Sequence, residues 1–573
     1  MIEPASHNKT RMPWKGSGLS LKKRSTKELQ KLNIEAGAAM GELVRSSFGP
    51  CGMRKMISDD KGQTRLTGDG EAIVRALEVR GGWYRGASGY GDSERGQIEP
   101  TIKNPICKIM AQAAAALDVE LGDGIKSMLI LAGALLTNAE HLLDDGLASD
   151  LIVSGYKKAY DKAVQIITGA SLVIAHQDAN VLRNLAMTSI RSKDVGSAGE
   201  HIRDISMAAS DMILDDHPCG RDINMNEVLE NVKFVKRSGK SVADTELIKG
   251  LVVEKAIVNS GMPRRVDNAR ILVLESPLEL DRKEFHARIE GRQGSLKAFL
   301  DQEDRLRDAW IRKVVECAAN VVLCQRGIDV KTQINLAKNG VLGVHWVSRQ
   351  DVERIAKATG AKVMINISDV GSEDLGAAQL VEERMVGKDK MVFMEGCEQP
   401  KCVSILIRAG LDKEADETES ALTDAICSLA SVRSCDRIVG GAGAVEMEVA
   451  KKLRSYSVKV SSKEQLAIGA FADSLEAIPE SLARNAGLDA TDVKLGLRSA
   501  HEKEEGSWLG VNVLSRKIEN TLTCGIIEPY GVKKRVLRTA VEVASTIVRT
   551  ANIISLRPNR EAASSPHTAD GGA

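Results

Sequence analysis

Apolar residues recur at helical spacing toward both ends of the chain and in short strand-like runs through its middle. Ser25-Thr26-Lys27-Glu28 has the form of a capping box. Leu29, Leu32, Ala36, Met40 and Leu43 then share one face of a predicted helix, which Phe48-Gly49-Pro50-Cys51-Gly52 stops. Two strands are expected over Lys55–Ser58 and Gln63–Leu66, joined by the turn Asp59–Gly62. Thr67-Gly68-Asp69-Gly70 then opens a helix over Glu71–Glu78. Pro105 to about Ala170 is helical and Ala-rich, and further helices run from Asn180 to Asp216. After Ser241 the period changes. Leu251–Val258, Arg270–Glu275, Asn320–Cys324, Gly343–Val347, Lys362–Ile365 and Met391–Met394 read as strands with helices between several of them, an α/β pattern. Ser295–Ala319 is a charged amphipathic helix. From Glu414 the chain turns helical again, Gly440–Gly443 interrupts it, and two further apolar helices are expected. The order helical, mixed, helical predicts one domain inserted within another.

Composition narrows this picture. Of 573 residues, 43% are hydrophobic but only 3% aromatic, so the cores must be built from Ala, Val, Leu, Ile and Met. A formal net charge of +1 provides no global field for nucleic acid or a membrane surface, and neither is expected as a partner. The longest apolar run, Met128–Leu136, is too short to span a bilayer. Ten cysteines without a CxxC pair, and a polar, basic N-terminus, fit a reducing, cytoplasmic setting. Residues 1–20 and 557–573 read as mobile tails. Residues 81–103, rich in Gly and polar groups, read as a surface insertion.

The candidate chemistry lies in the glycine loops. Gly122-Asp123-Gly124 precedes the apolar run Ile125–Gly133, so it opens a buried helix whose free N–H groups and dipole suit a phosphate. Asp123 between the glycines makes sense if Mg²⁺ bridges it to phosphate oxygens; an ordinary turn is the alternative. Asp69 repeats the arrangement. Asp424 lies on an amphipathic helix ahead of the turn Gly440–Gly443, where a solvated helix face is the alternative. Phosphate cradles, a metal-binding Asp and a water-orienting Asp are the parts of a nucleotide hydrolase.

The ordered motifs resemble those of group II chaperonin subunits, the archaeal thermosome and eukaryotic cytosolic chaperonin family, over about residues 25–555. Phe48–Met56 is similar to LGPKGMDKM, Thr67–Gly70 to TNDG, Gly122–Lys126 to GDGTT and Thr188–Lys193 to TSITGK. Asp244–Gly250, Gly261–Val266, Leu380–Arg384, Asp389–Phe393, Ala442–Glu446, Glu476–Pro479, Ala500–Lys503 and Gly525–Pro529 add further matches. The resemblance implies a multidomain α and α/β chaperonin fold. Its mostly helical equatorial ATPase domain would come from residues 25–176 and 442–556. A hinge-like intermediate domain would come from 177–246 and 406–441. Residues 247–405 would form an α/β apical domain that binds unfolded clients and carries a helical lid protrusion. It also implies ATP and Mg²⁺ as cofactors, and a double ring of eight or nine subunits, its own or paralogous, per ring.

By position, the resemblance implies that Asp123 ligates Mg²⁺ and that Asp69 and Asp424 serve the attacking water. Lys193 would read the γ-phosphate. Gly49, Pro50, Gly52, Gly70, Gly122, Gly124, Ile125, Lys126, Ser127, Gly441 and Gly443 would shape the nucleotide pocket, and Glu528 would accept from the ribose. The phosphate loops depart from the pattern. Ile125 and Lys126 replace two threonines, and each lost hydrogen bond to a charged group is worth about 1.5–3 kcal/mol. Cys51, Arg54 and Gly68 also differ from the motifs. A hydrolysis-impaired paralogue is therefore the alternative to an active ATPase.

Overall fold

A computed structural model describes residues 26–58, 64–79, 104–174, 178–193, 195–214, 223–279, 295–397, 402–503 and 506–551. Ser25 of the capping box, the turn Asp59–Gly62, the insertion 81–103 and both tails lie outside the described residues. So does the segment 280–294 that leads into the charged helix.

The chain begins with α1 (Thr26–Arg45), the hairpin β1 (Lys55–Ser58) and β2 (Thr64–Thr67), and α2 (Gly70–Val79). Next come α3 (Pro105–Leu121), α4 (Ile125–Asp144), α5 (Ser149–Ala170) and β3 (Leu172–Val173). Asn104 caps α3 by accepting from the Ile106 N–H, and Pro105 sits at its first turn, where no donor is missed. The run Met128–Leu136 is buried along almost its whole length because α4 is wrapped by other helices. α1 crosses it where Gly41 meets Gly133. A Cβ on Gly41 would lie 2.8 Å from the Leu129 carbonyl oxygen, so only glycine allows that approach.

A second group follows: α6 (Ala179–Ile190), α7 (Gly199–Leu214), α8 (Met225–Glu230), β4 (Val232–Ser238) and β5 (Glu246–Ile248). The mixed region is β6 (Gly250–Val253), β7 (Arg265–Leu274), α9 (Ser295–Glu316), β8 (Val321–Cys324), α10 (Val330–Lys338), β9 (Leu342–Val344), α11 (Arg349–Thr359), β10 (Val363–Met364), β11 (Gly376–Val386) and β12 (Asp389–Cys397). Its strands form one seven-stranded sheet in the order β6-β12-β11-β7-β8-β9, with β10 added to β7. β7, β8 and β9 run parallel, whereas β6, β12, β11 and β7 pair antiparallel.

The chain returns through β13 (Val403–Ala409), which lies between β4 and β5. α12 (Asp412–Cys435), β14 (Arg437–Gly440), α13 (Ala444–Ser457), α14 (Glu464–Leu475), α15 (Ala477–Asn485) and α16 (Ala490–His501) follow. β15 (Leu509–Asn512), β16 (Lys517–Asn520), β17 (Ile527–Pro529) and α17 (Tyr530–Arg549) complete it.

The expected strands are present with shifted ends. β4, β11 and β13 were not expected, and five helices rather than two follow Gly443. The two ends of the chain share one core: α17 packs beside α4, Gln30 donates to the Val548 carbonyl at 2.6 Å, and Asn33 donates to the Thr550 carbonyl at 3.3 Å. A separate core joins α6, α7 and α12 with the strand β13. The mixed region lies between these elements in sequence, while the two ends of the chain pack on each other.

Candidate active site

Where these two helical cores meet, one cavity gathers the glycine loops. Gly49, Pro50, Asp123, Gly124, Lys126, Ser127, Gly443 and Glu528 all line it. Gly122 ends α3 with φ 69° and Gly124 caps α4 with φ 93°, conformations that glycine alone adopts freely. Asp123 sits between them at the N-terminus of α4, and its carboxylate accepts from the Gly124 N–H at 2.5 Å.

Beside the cavity the remaining predicted charges converge. Lys193, just past the end of α6, donates to Asp69 at 2.6 Å and lies 3.2 Å from Asp424. Its ammonium also reaches the Ser420 hydroxyl at 2.7 Å. Asp69 caps α2 by accepting from the Ala72 N–H. Burial alone would depress the Lys193 ammonium, but Asp424 and Asp69 outweigh it and hold its proton tightly. Burial pushes Asp69 up, yet the Lys193 charge and hydrogen bond overcome it and hold that carboxyl below the usual range. Asp424 goes the other way. Burial drives it well above the ordinary value, and Asp123 and Asp69 add to this against the more distant Lys193. The two carboxyls therefore share one lysine, and only Asp69, nearer to it and also bonded to a backbone N–H, is held below the usual range.

α12 positions this cluster through one polar stripe. Glu417 accepts from the Thr67 hydroxyl and the Gly68 N–H. Ser420 and Asp424 take Lys193, and Ser428 bonds Ser189 at 2.8 Å. Cys427 packs against Gly122, where a Cβ would overlap its sulfur. These residues recur at three- and four-residue steps, so one helix face touches every loop.

The residues that depart from the motifs have definite places. Ile125 is 6% exposed and belongs to the hydrophobic core, so its side chain does not line the cavity. Lys126 lines it, but its ammonium donates to the Ser47 and Gly68 carbonyls at 3.2 and 3.0 Å rather than to Asp123. Burial and then the neighbouring Lys193 lower its hold on a proton. Gly70 lies against the Lys126 stem, and Gly441 against Glu528. Gly52 turns back on the Ser47 backbone, away from the cavity. Thr188, Ser189, Arg191 and Ser192 on the α6 side, Ser428, and the Val511–Leu514 segment line the cavity without having been singled out as site residues. Thr188, Ser189, Arg191 and Ser192 lie in the same TSITGK-like stretch as Lys193, which is the sequence signal that marks them.

The family model of the TCP-1/cpn60 chaperonin family matches residues 98–558. The chain belongs to that family. Among curated relatives, this chaperonin is 39% identical over 530 residues to thermosome subunit beta of Sulfolobus acidocaldarius, spanning 92% of this chain and 91% of the relative. It is 40% identical over 532 residues to thermosome subunit alpha of Aeropyrum pernix, with the same coverages. Among solved structures it is similar to an open-state monomer of a group II chaperonin from Methanococcoides burtonii. The TM-score is 0.56 at 33% identity, covering 75% of this chain and 100% of that one. Its architecture is accordingly the multidomain chaperonin fold, and it is a chaperonin subunit. No described helix is long and apolar enough to cross a membrane.

Proposed function

We propose that this chaperonin subunit hydrolyses ATP in the cavity between its two helical cores, and couples the reaction to enclosing unfolded client proteins in a double ring in the cytoplasm. The observation that carries the reading is Lys193 bridged to both Asp69 and Asp424 beside the N-terminus of α4. These groups come from three distant segments and meet beside the cavity that holds the glycine loops.

In this reading the α4 N-terminus and the Gly122–Gly124 backbone receive the phosphates, with Gly49 and Pro50 forming the opposite wall. Glu528 accepts from the ribose. Asp123 suits Mg²⁺, because it lines the cavity at the N-terminus of α4; among the described residues no cluster of three or more ligand side chains forms, so this one carboxylate would hold the ion together with phosphate oxygens and water. A magnesium ion there would neutralise phosphate charge, with phosphate oxygens completing its shell. Asp69 and Asp424 orient the attacking water, and Asp424, whose carboxyl favours a proton, accepts one from it. Lys193 couples the two acids, so α12 must be docked for both to act.

The domain division is 25–176 with 442–556, 177–246 with 406–441, and 247–405. Strand β13 spans the expected edge at 405/406 and pairs with β4. Each ring holds eight or nine subunits. Turnover is slowed by Lys126, whose ammonium is tied to two carbonyls where the motif carries a hydroxyl.

The deciding experiment measures ATP hydrolysis and client refolding by the assembled protein and its Asp424→Ala variant. A loss of roughly 10²-fold or more in turnover, with rings still seen by electron microscopy, supports the assignment. An unchanged rate removes Asp424 from the chemistry.

A further inference from the structure

Three basic side chains line the cavity: Lys126, Arg191 and Lys533. Lys126 donates to two backbone carbonyls. Lys533 pairs with Glu446 at 2.7 Å and Glu528 at 2.8 Å. Lys193, two residues beyond Arg191, is taken by Asp69 and Asp424. The Arg191 guanidinium, by contrast, makes no hydrogen bond or ion pair among the described residues.

The backbone of Arg191 is held in place. It closes α6, with helical φ of −61°, and its N–H donates to the Met187 carbonyl at 2.9 Å. The side chain is exposed and lines a cavity that also holds the α4 N-terminus beside Gly124 and Ser127, Lys126, and two carboxylates, Asp123 and Glu528, the latter already paired with Lys533. Like-signed features that converge on one cleft raise its potential and favour an anion there. A guanidinium is the side chain best shaped to meet one, since its planar fork binds phosphate oxygens two at a time. The TSITGK pattern that this segment resembles has threonine at the same place, so the cation is a property of this chain.

We propose that Arg191 is a nucleotide-binding residue that grips the phosphate chain from the α6 side, an inference that rests on reading this cavity as the nucleotide site. It supplies polar contacts that Ile125 and Lys126 do not. Because α6 belongs to the core shared with α12 while α4 belongs to the other, the grip crosses from one core to the other. Bound phosphate then favours the arrangement in which Lys193 and Asp424 reach Asp69.

The test is calorimetric titration of the assembled full-length chain and its Arg191→Ala and Arg191→Lys variants with Mg-ATP and, separately, with adenosine. Losing a charge-assisted contact weakens binding by roughly 10–100-fold. The expected result is that loss for ATP in Arg191→Ala, unchanged adenosine affinity, and partial recovery in Arg191→Lys. Equal ATP affinity in wild type and Arg191→Ala overturns the inference and leaves the nucleotide site standing. Parallel loss of ATP and adenosine binding overturns it too, because the residue then shapes the pocket rather than holding phosphate. A wild-type chain that binds neither ligand removes the nucleotide reading and this inference with it.

Discussion

Two lysines in this molecule sit in nearly the same chemical setting. Lys193 lies between Asp69 and Asp424, and Lys533 between Glu446 and Glu528, with side chains 3% and 8% exposed. All four ion pairs measure between 2.6 and 3.2 Å. The difference lies in the chain that carries them. Glu446, Glu528 and Lys533 belong to α13, β17 and α17, which pack together at the C-terminal end. Asp69, Lys193 and Asp424 come from the loop before α2, the end of α6 and the middle of α12. The first set is fixed by one packed unit. The second exists only while α12 stays docked. Identical charge patterns thus sit within one core in one place and bridge two cores in the other.

The sharpest way to break this contrast is to remove each lysine in turn. Lys533→Met leaves the buried Glu446 carboxylate unpaired beside the half-buried Glu528, and we expect a loss of up to about 3–5 kcal/mol in denaturant unfolding of the assembled protein. Lys193→Met should cost less than half as much, since its carboxylates can part by undocking α12, while ATP turnover collapses. Equal stability losses for the two variants would erase the distinction.

Lys126 offers a smaller, sharper probe of the same side. Lys126→Thr places a hydroxyl where the side chain already lines the cavity, and turnover should rise by up to about tenfold, the worth of one hydrogen bond to a charged group. Ile125→Thr should bring no gain and some loss of stability, because that side chain is buried in the core. A gain at position 125 alone would contradict this division.

The smallest expected effect concerns Asp118 on α3. Burial, and then Glu71, push its carboxyl up to about 7. An acid that holds its proton more tightly when folded lowers stability as pH rises from its unfolded value near 4 toward 7. Asp118→Asn should therefore match wild type below about pH 4 and melt higher above pH 7, by under about 1 kcal/mol because the group is partly solvated. A stability difference independent of pH would mean that Asp118 is not the titrating group.

Much of this was legible along the chain. The glycine loops with Asp69 and Asp123 stand out because the geometry they need, tight turns opening helices, leaves a local trace, whereas Asp424, in the middle of α12, leaves no such trace. The mixed α/β stretch between helical ends was legible because the period of apolar positions changes and then returns. What escaped was decided by distant partners. β13 is buried on both faces, Ile405 and Ile407 in the core with α7 and α12 and Leu406 in a cluster with Val252 and Phe393, so it lacks the alternation that marks a half-exposed strand. The fate of Lys126 depends on carbonyls at Ser47 and Gly68, which nothing near it in sequence announces. Arg191 was hidden in plain view: its partner residues do not pair with it, and only the shape of the cavity gives its charge a direction.

The shared core of the two chain ends has a consequence for how the molecule is made. α4 is synthesised early, yet one of its principal packing partners, α17, is nearly the last element to leave the ribosome. At about 5–20 residues per second, the roughly 390 residues between them take on the order of 20–80 s. Through that interval the most apolar helix of the nascent chain waits half-clothed while the central sheet can already close. A newborn subunit of a protein-folding machine is thus, for that period, itself in need of shelter.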